Sequence, residues 1–294
     1  MKALSLFNGI SGLHLAFDTA GIEVGKVYYS EIDKWANKVT EHHYPNDIAL
    51  GDVTKWREWD IDWSEIGLVG AGFPCQAWSV AGKQLGDKDE RGMLFWTTLD
   101  IIAHVLKHNP NAKFLMENVK MKKDFEEYIT HHTTQALGYV KKTLINSALV
   151  SAQNRQRYYW TNFKVSQPED KGIILADILE DGVVDRDKSY CVDANYHKGG
   201  NLDQYFNKSR RQLVFSVNEN NRVSGITEYA AFKIYYADSF FLPTRFSFKT
   251  RLSVSLCKIA APSNAVLKIQ TPEVTYRRNL RPSKFSLSAL FFPL

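Results

Sequence analysis

Over the first 165 residues, short runs of β-branched and aromatic residues alternate with longer amphipathic stretches, and no other feature restricts the fold of this chain as much. A hydrophobic period of two giving way repeatedly to one near 3.6 is the pattern of βα units wound around a mostly parallel sheet. It predicts strands over Ala3–Phe7, Lys26–Ser30, Gly67–Ala71, Lys113–Met116, Val140–Asn146 and Arg157–Asn162. Helices are expected over Gly12–Ala20, Asp33–Tyr44, Gly92–Lys107 and Lys122–Leu137. The fold class is therefore α/β, and its ligands should lie beyond the carboxyl ends of the strands.

Pro168 and the acidic stretch Asp177–Asp187 break this rhythm, which puts a boundary near residue 165. A second break follows at Gly225, the last of 17 glycines. A globular segment as long as 226–294 should hold about five. That segment instead carries eight of the 17 phenylalanines and no tryptophan. Two readings stand: an unusual sub-domain, or a frameshifted or foreign tail. The net charge of +5 is also uneven, with a balance of −2 over residues 1–225 and +7 over 226–294. A nucleic-acid partner must therefore be argued from chemistry and not from basicity.

The three cysteines, Cys75, Cys191 and Cys257, show no metal-ligand spacing, so no metal is expected. With no apolar run of about 18 residues and no leader pattern, the expectation is a cytoplasmic protein without membrane contact.

Four groups of residues carry chemistry. The first strand runs into Phe7-Asn8-Gly9-Ile10-Ser11-Gly12, where backbone N–H groups and a helix N-terminus can hold the polar end of a cofactor. Glu31, at the end of the second strand, can accept both hydroxyls of a ribose, and the acid of Gly51-Asp52-Val53 can accept from an adenine amino group. The string Gly72-Phe73-Pro74-Cys75-Gln76 puts a thiol in a polar, Gly-flanked loop, where a thiolate can act as a nucleophile. The next strand delivers Glu117-Asn118-Val119 to the same rim, and Gln153-Asn154-Arg155-Gln156-Arg157 supplies two arginines. These are expected on opposite faces, one entering the site and one supporting it.

The string GFPCQAWSVAGKQ, followed in order by RGMLFW, MENVK and QNRQR, resembles the DNA cytosine-5 methyltransferase family of bacterial restriction-modification systems and their phage relatives. The resemblance runs from Ala3 to about Phe163. It implies a Rossmann-like domain that binds S-adenosyl-L-methionine, followed by a smaller irregular recognition lobe. It also implies attack by Cys75 on C6 of a flipped cytosine. Glu117 would hold the N3 edge, Arg155 the O2, and Arg157 the Glu117 and Cys75 segments. Phe7, Gly9, Ile10, Gly12, Glu31, Ile32, Asp52, Val53, Pro74 and Leu94 would bind the cofactor. Gln76 and Ser79 would meet DNA. Two positions depart from the bacterial pattern, Ser5 in place of Asp and Ser11 in place of Gly.

Residues 166–225 are expected to begin the recognition region, with loops at 195–200 and 209–212 as DNA contacts. Ser263-Asn264-Ala265-Val266 is only a faint echo of the family's last motif. Double-stranded DNA is the implied partner, a cognate restriction endonuclease the implied companion, and a monomer the expected state. Two alternatives stay open: a tRNA cytosine-5 methyltransferase, and a catalytically silent cofactor-binding relative.

Overall fold

Seven strands form the central sheet: β1 (Lys2–Leu6), β2 (Lys26–Ser30), β3 (Ile48–Ala49), β4 (Ile66–Ala71), β5 (Lys113–Val119), β6 (Lys141–Asn146) and β7 (Gln156–Thr161). Their order is β3-β2-β1-β4-β5-β7-β6. All neighbours from β3 to β5 are parallel, whereas β7 runs antiparallel to both β5 and β6. The computed structural model describes residues 1–74, 92–192, 202–217 and 223–226. They fall within one unit of the chain, which includes Met1–Phe240.

The helices are α1 (Gly12–Ala20), α2 (Lys34–His43), α3 (Met93–His108), α4 (Lys123–Leu137) and a short α5 (Leu202–Lys208). Each of the four expected helices is present to within about a residue at either end. The main core lies between sheet and helices and is built on Leu4, Leu6, Val69, Phe95, Ile101, Phe114, Met116 and Trp160, all but excluded from solvent. α1 sits close on β4 because position 70 has no side chain: a Cβ there would meet Leu13 at 2.6 Å. A smaller cluster of Ala152, Leu175 and Val214 anchors the residues after β7, beside the antiparallel pair β8 (Phe215–Val217) and β9 (Val223–Ile226). Among the described residues no helix is long and apolar enough to cross a membrane.

The structure changes two expectations. β3 has only two residues, too few to register as a period, yet it extends the sheet beyond β2. β5 continues three residues past Met116, because Glu117, Asn118 and Val119 pair with Tyr159, Tyr158 and Arg157 of β7. Glu117 is thus a strand residue, fixed by a ladder, and not part of the loop after one.

Candidate active site

Register brings the predicted residues to one rim. Leu6 pairs with Ser30 on one side and Ala71 on the other, and Ala71 pairs with Met116. Phe7, Glu31 and Gly72 therefore leave the sheet at the level of Glu117, which stays in β5, with Asp52 just beyond β3. Because β7 is antiparallel, its beginning, and not its end, arrives at this rim, and that beginning carries Arg155 and Arg157. The order of strands reverses between β1 and β4, the place where open sheets of this kind leave a crevice.

On the β1 side the chain is tightly constrained. Phe7, Gly9 and Ser11 all take positive φ, at 55°, 57° and 68°. For Phe7 and Ser11 the left-handed conformation costs about 1–2 kcal/mol each. A buried polar network opposes that cost. Ser5 Oγ donates to Asn8 Oδ1 at 2.8 Å, and Asn8 Nδ2 donates to both Ser11 Oγ and Thr40 Oγ1 at 3.0 Å. The Ser11 and Thr40 hydroxyls share a further hydrogen bond of 2.8 Å. All four side chains belong to buried residues. With the Ser11 hydroxyl committed here, α1 has no side-chain cap, and its first turn holds no acid, which leaves its N-terminal amides to a polar ligand. The neighbouring α2 differs: Asp33 caps it by accepting from Trp35 and Ala36 N–H.

The Glu31 carboxylate faces this loop. It accepts from Gly9 N–H at 2.7 Å through Oε2, and from the Ile32 and Asp33 N–H groups at 2.9 Å through Oε1. A carboxylate has roughly four acceptor positions, so the expectation that Glu31 serves two ribose hydroxyls unaided is narrowed to a share of Oε2. Asp52 Oδ1 accepts from the amide and hydroxyl of Thr54 and caps a 3-10 turn, as Asp62 does with Ser64 elsewhere. Val53 points into the main core, so only its backbone can meet a ligand. Ile10 and Ile32 are 44% and 78% exposed. Phe7 and Leu94 are partly buried against the core, Gly12 is exposed, and Pro74 is half-buried.

The second half of the rim centres on Glu117. Its Oε1 lies 2.8 Å from Arg157 Nε, and its Oε2 would be 3.6 Å from a Cβ placed on Gly72. Asn118 Nδ2 donates to Phe73 O at 3.1 Å, which ties the end of β5 to the segment that leads into Cys75. Burial pushes the Glu117 carboxyl above the usual carboxylate range, against the opposing pull of Arg157 and Arg155. The arginines are not split between faces as expected. Residues two apart on an extended chain share a face, and both guanidinium groups act on Glu117. Arg155 also donates to Cys191 Sγ at 3.6 Å. Its backbone is held on both sides, N–H to Asn146 Oδ1 and C=O from Ser147 N–H, each at 3.0 Å.

Cys75, Gln76 and Ser79 lie outside the described residues, as do loop 195–200 and Ser263–Val266. Three residues of the rim escaped the sequence reading. Asn8 and Thr40 build the polar network, and Tyr159 faces Glu117 across the ladder, its hydroxyl pKa raised by burial and by that carboxylate. A tyrosine two residues after the second arginine was the one signal available for the last of these.

The chain is similar to known proteins. The family model described as C-5 cytosine-specific DNA methylase matches residues 1–238. The Type II methyltransferase M.NgoBV of Neisseria gonorrhoeae is 35% identical over 205 residues, 62% of this chain and 47% of that protein. M1.ScrFI of Lactococcus lactis subsp. cremoris is 37% identical over 202 residues, 63% of this chain and 50% of that protein. The chain thus spans about half the length of the curated relatives it matches. A crystal structure of mutant Spodoptera frugiperda DNMT2 superposes with a TM-score of 0.52 at 20% identity, over 84% of this chain and 92% of that one, and shares the fold.

Proposed function

We propose that this chain, which belongs to the C-5 cytosine-specific DNA methylase family, transfers a methyl group from S-adenosyl-L-methionine to C5 of a cytosine flipped out of duplex DNA, through a covalent adduct on Cys75. The observation that carries the reading is Glu117, a carboxyl beside the segment entering Cys75 and 2.8 Å from Arg157 Nε, its burial favouring the protonated form.

The β1 side suits the cofactor: an uncapped helix N-terminus for its carboxylate, a lone pair of Glu31 for its ribose, and exposed Ile10 and Ile32 to flank a flat apolar ring. Asp52, Val53, Pro74 and Leu94 complete the proposed lining. S-adenosyl-L-methionine, when bound, supplies the methyl group as an electrophilic sulfonium. Cys75 Sγ forms a bond to C6 as its thiolate. Glu117 donates a hydrogen bond to N3, so that the electron pair released into the ring gathers at C5. Arg155 balances charge on O2, and Arg157 holds Glu117 in place. After methylation a base, such as a solvent water, takes the C5 proton, and the C5–H electron pair re-forms the C5=C6 bond as the C6–S bond breaks and Cys75 leaves as its thiolate. Attack on C6 needs the base out of the stack, at a cost of a few kcal/mol in lost pairing and stacking. Gln76 and Ser79 follow Cys75 on the segment that would meet the DNA.

Residues 166–225 are the proposed start of the region that reads sequence, and 226–294 the proposed atypical tail. The proposed setting is the cytoplasm of a bacterial or phage-infected cell, as a monomer and alongside a cognate endonuclease. The match to Type II methyltransferases supports DNA over tRNA. Cofactor and DNA substituted with 5-fluorocytosine should together give a denaturant-stable protein–DNA complex, since fluorine at C5 cannot leave as a proton. A stable adduct with 5-fluorocytosine tRNA, and none with DNA, would reverse the substrate assignment.

Glu31→Ala should weaken S-adenosyl-L-methionine binding about tenfold or more in calorimetry, as expected for a charged hydrogen bond of roughly 1.5–3 kcal/mol. Unchanged affinity would remove Glu31 from the site.

A further inference from the structure

We propose that Thr40, a residue of α2 that touches no part of the reaction, is the positioning residue that fixes the cofactor loop in its left-handed conformation and so aims Glu31. The inference rests on the cofactor reading above. Thr40 is fully buried, and its hydroxyl meets Asn8 Nδ2 at 3.0 Å and Ser11 Oγ at 2.8 Å. These are contacts to the loop, made from a different helix and across a sequence separation of about thirty residues. Asn8 Nδ2 has two hydrogens, and the Thr40 and Ser11 hydroxyls take one each. The amide is thereby oriented, with Oδ1 turned to Ser5. The Asn8 N–H is held by Ser30 O at 3.0 Å, at the end of the strand that leads to Glu31. Between Asn8 and Ser11 lies Gly9, whose N–H is the donor to Glu31 Oε2 at 2.7 Å. The loop geometry and the direction of the Glu31 carboxylate are therefore a single arrangement, and Thr40 is the part of it supplied from outside the loop.

The network also accounts for the two departures from the bacterial pattern. Ser5 and Ser11 are both members, so a loop without Asp and Gly at those places is held by hydroxyls instead. Ser11 accepts a left-handed conformation that glycine adopts without strain. That conformation needs the bonds to Asn8 and Thr40.

Thr40→Val keeps the shape and removes the hydroxyl, leaving one Asn8 hydrogen and the Ser11 hydroxyl each short of a partner. Thr133→Val is the matched control: Thr133 is equally buried, but among the described residues its hydroxyl bonds to Ile129 O of its own helix, away from the rim. In the full chain, Thr40→Val should raise the calorimetric Kd for S-adenosyl-L-methionine about tenfold, while Thr40→Ser and Thr133→Val stay within about twofold of wild type. Equal losses of affinity in Thr40→Val and Thr133→Val, tracking their Tm, would overturn the proposal, because the effect would then be one of general stability. So would a Thr40→Val protein that binds like wild type. Amide hydrogen exchange reads the same claim without cofactor: the Gly9 N–H should lose protection in Thr40→Val and keep it in Thr133→Val, and unchanged protection overturns the positioning role. Wild-type protein that binds no cofactor would instead refute the reading of the site, with the exchange result standing by itself.

Discussion

Cys75→Ser protein is expected to transfer no detectable tritiated methyl group to DNA while its affinity for S-adenosyl-L-methionine stays within a few-fold of wild type. A serine hydroxyl at the same place is far less acidic than a thiol and is a poor nucleophile toward C6 unless a base removes its proton. Glu117, beside Gly72, is proposed to donate to the N3 edge of the target cytosine and so is not free to act as that base. Of the proposed cofactor residues only Pro74 adjoins Cys75, and serine is close to cysteine in size, so binding should be spared. Cys191 is the rival thiol, since its sulfur lies 3.6 Å from the Arg155 guanidinium. Mapping the 5-fluorocytosine adduct by mass spectrometry separates the two. An adduct on Cys191, or methyl transfer surviving in Cys75→Ser, would sink the assignment of the nucleophile.

Glu117→Gln should lower kcat by roughly a hundredfold or more, the usual scale for losing a positioned proton donor. An amide can still donate to N3 but cannot give up the proton, and the acceptor 2.8 Å from Arg157 Nε loses its charge. The pH dependence is the sharper test. Burial raises the Glu117 pKa over its ordinary value of 4.5, so the folded protein holds the proton more tightly than the unfolded chain. Wild-type stability from this group is complete below the ordinary pKa and declines as pH rises through the folded one. Glu117→Gln removes that decline, so the stability of the variant relative to wild type should improve with pH in urea titrations. A difference independent of pH would mean that the carboxyl titrates normally. The variant should also lose the part of the fall in kcat at rising pH that belongs to deprotonation of Glu117.

The α/β alternation was legible because each of its strands and helices is long enough to show a period, and the rim followed from the rule on strand ends. β3 was not, because two residues carry no alternation. The antiparallel sense of β7 was also hidden, since a strand reads alike in both directions. The link between Arg157 and Glu117 came only through family resemblance and became physical in the β5–β7 register. The expected division of the arginines between faces ran against the period of two and was corrected by it. Thr40 was invisible, because a threonine inside an amphipathic helix looks like any other until the loop it touches is seen.

The backward run of β7 makes the site sensitive to parity. Its place along the ladder is set by the reversal after β6, where Asn146 Oδ1 receives both the Ala148 and Arg155 amides. One residue added between Arg155 and Arg157, with the β7 pairing preserved beyond it, would turn Arg155 to the other side of the sheet. Two would restore its side but carry it about 7 Å further along the rim. The two-residue step from Arg155 to Arg157 must therefore keep its count, even where the residue between them can change identity.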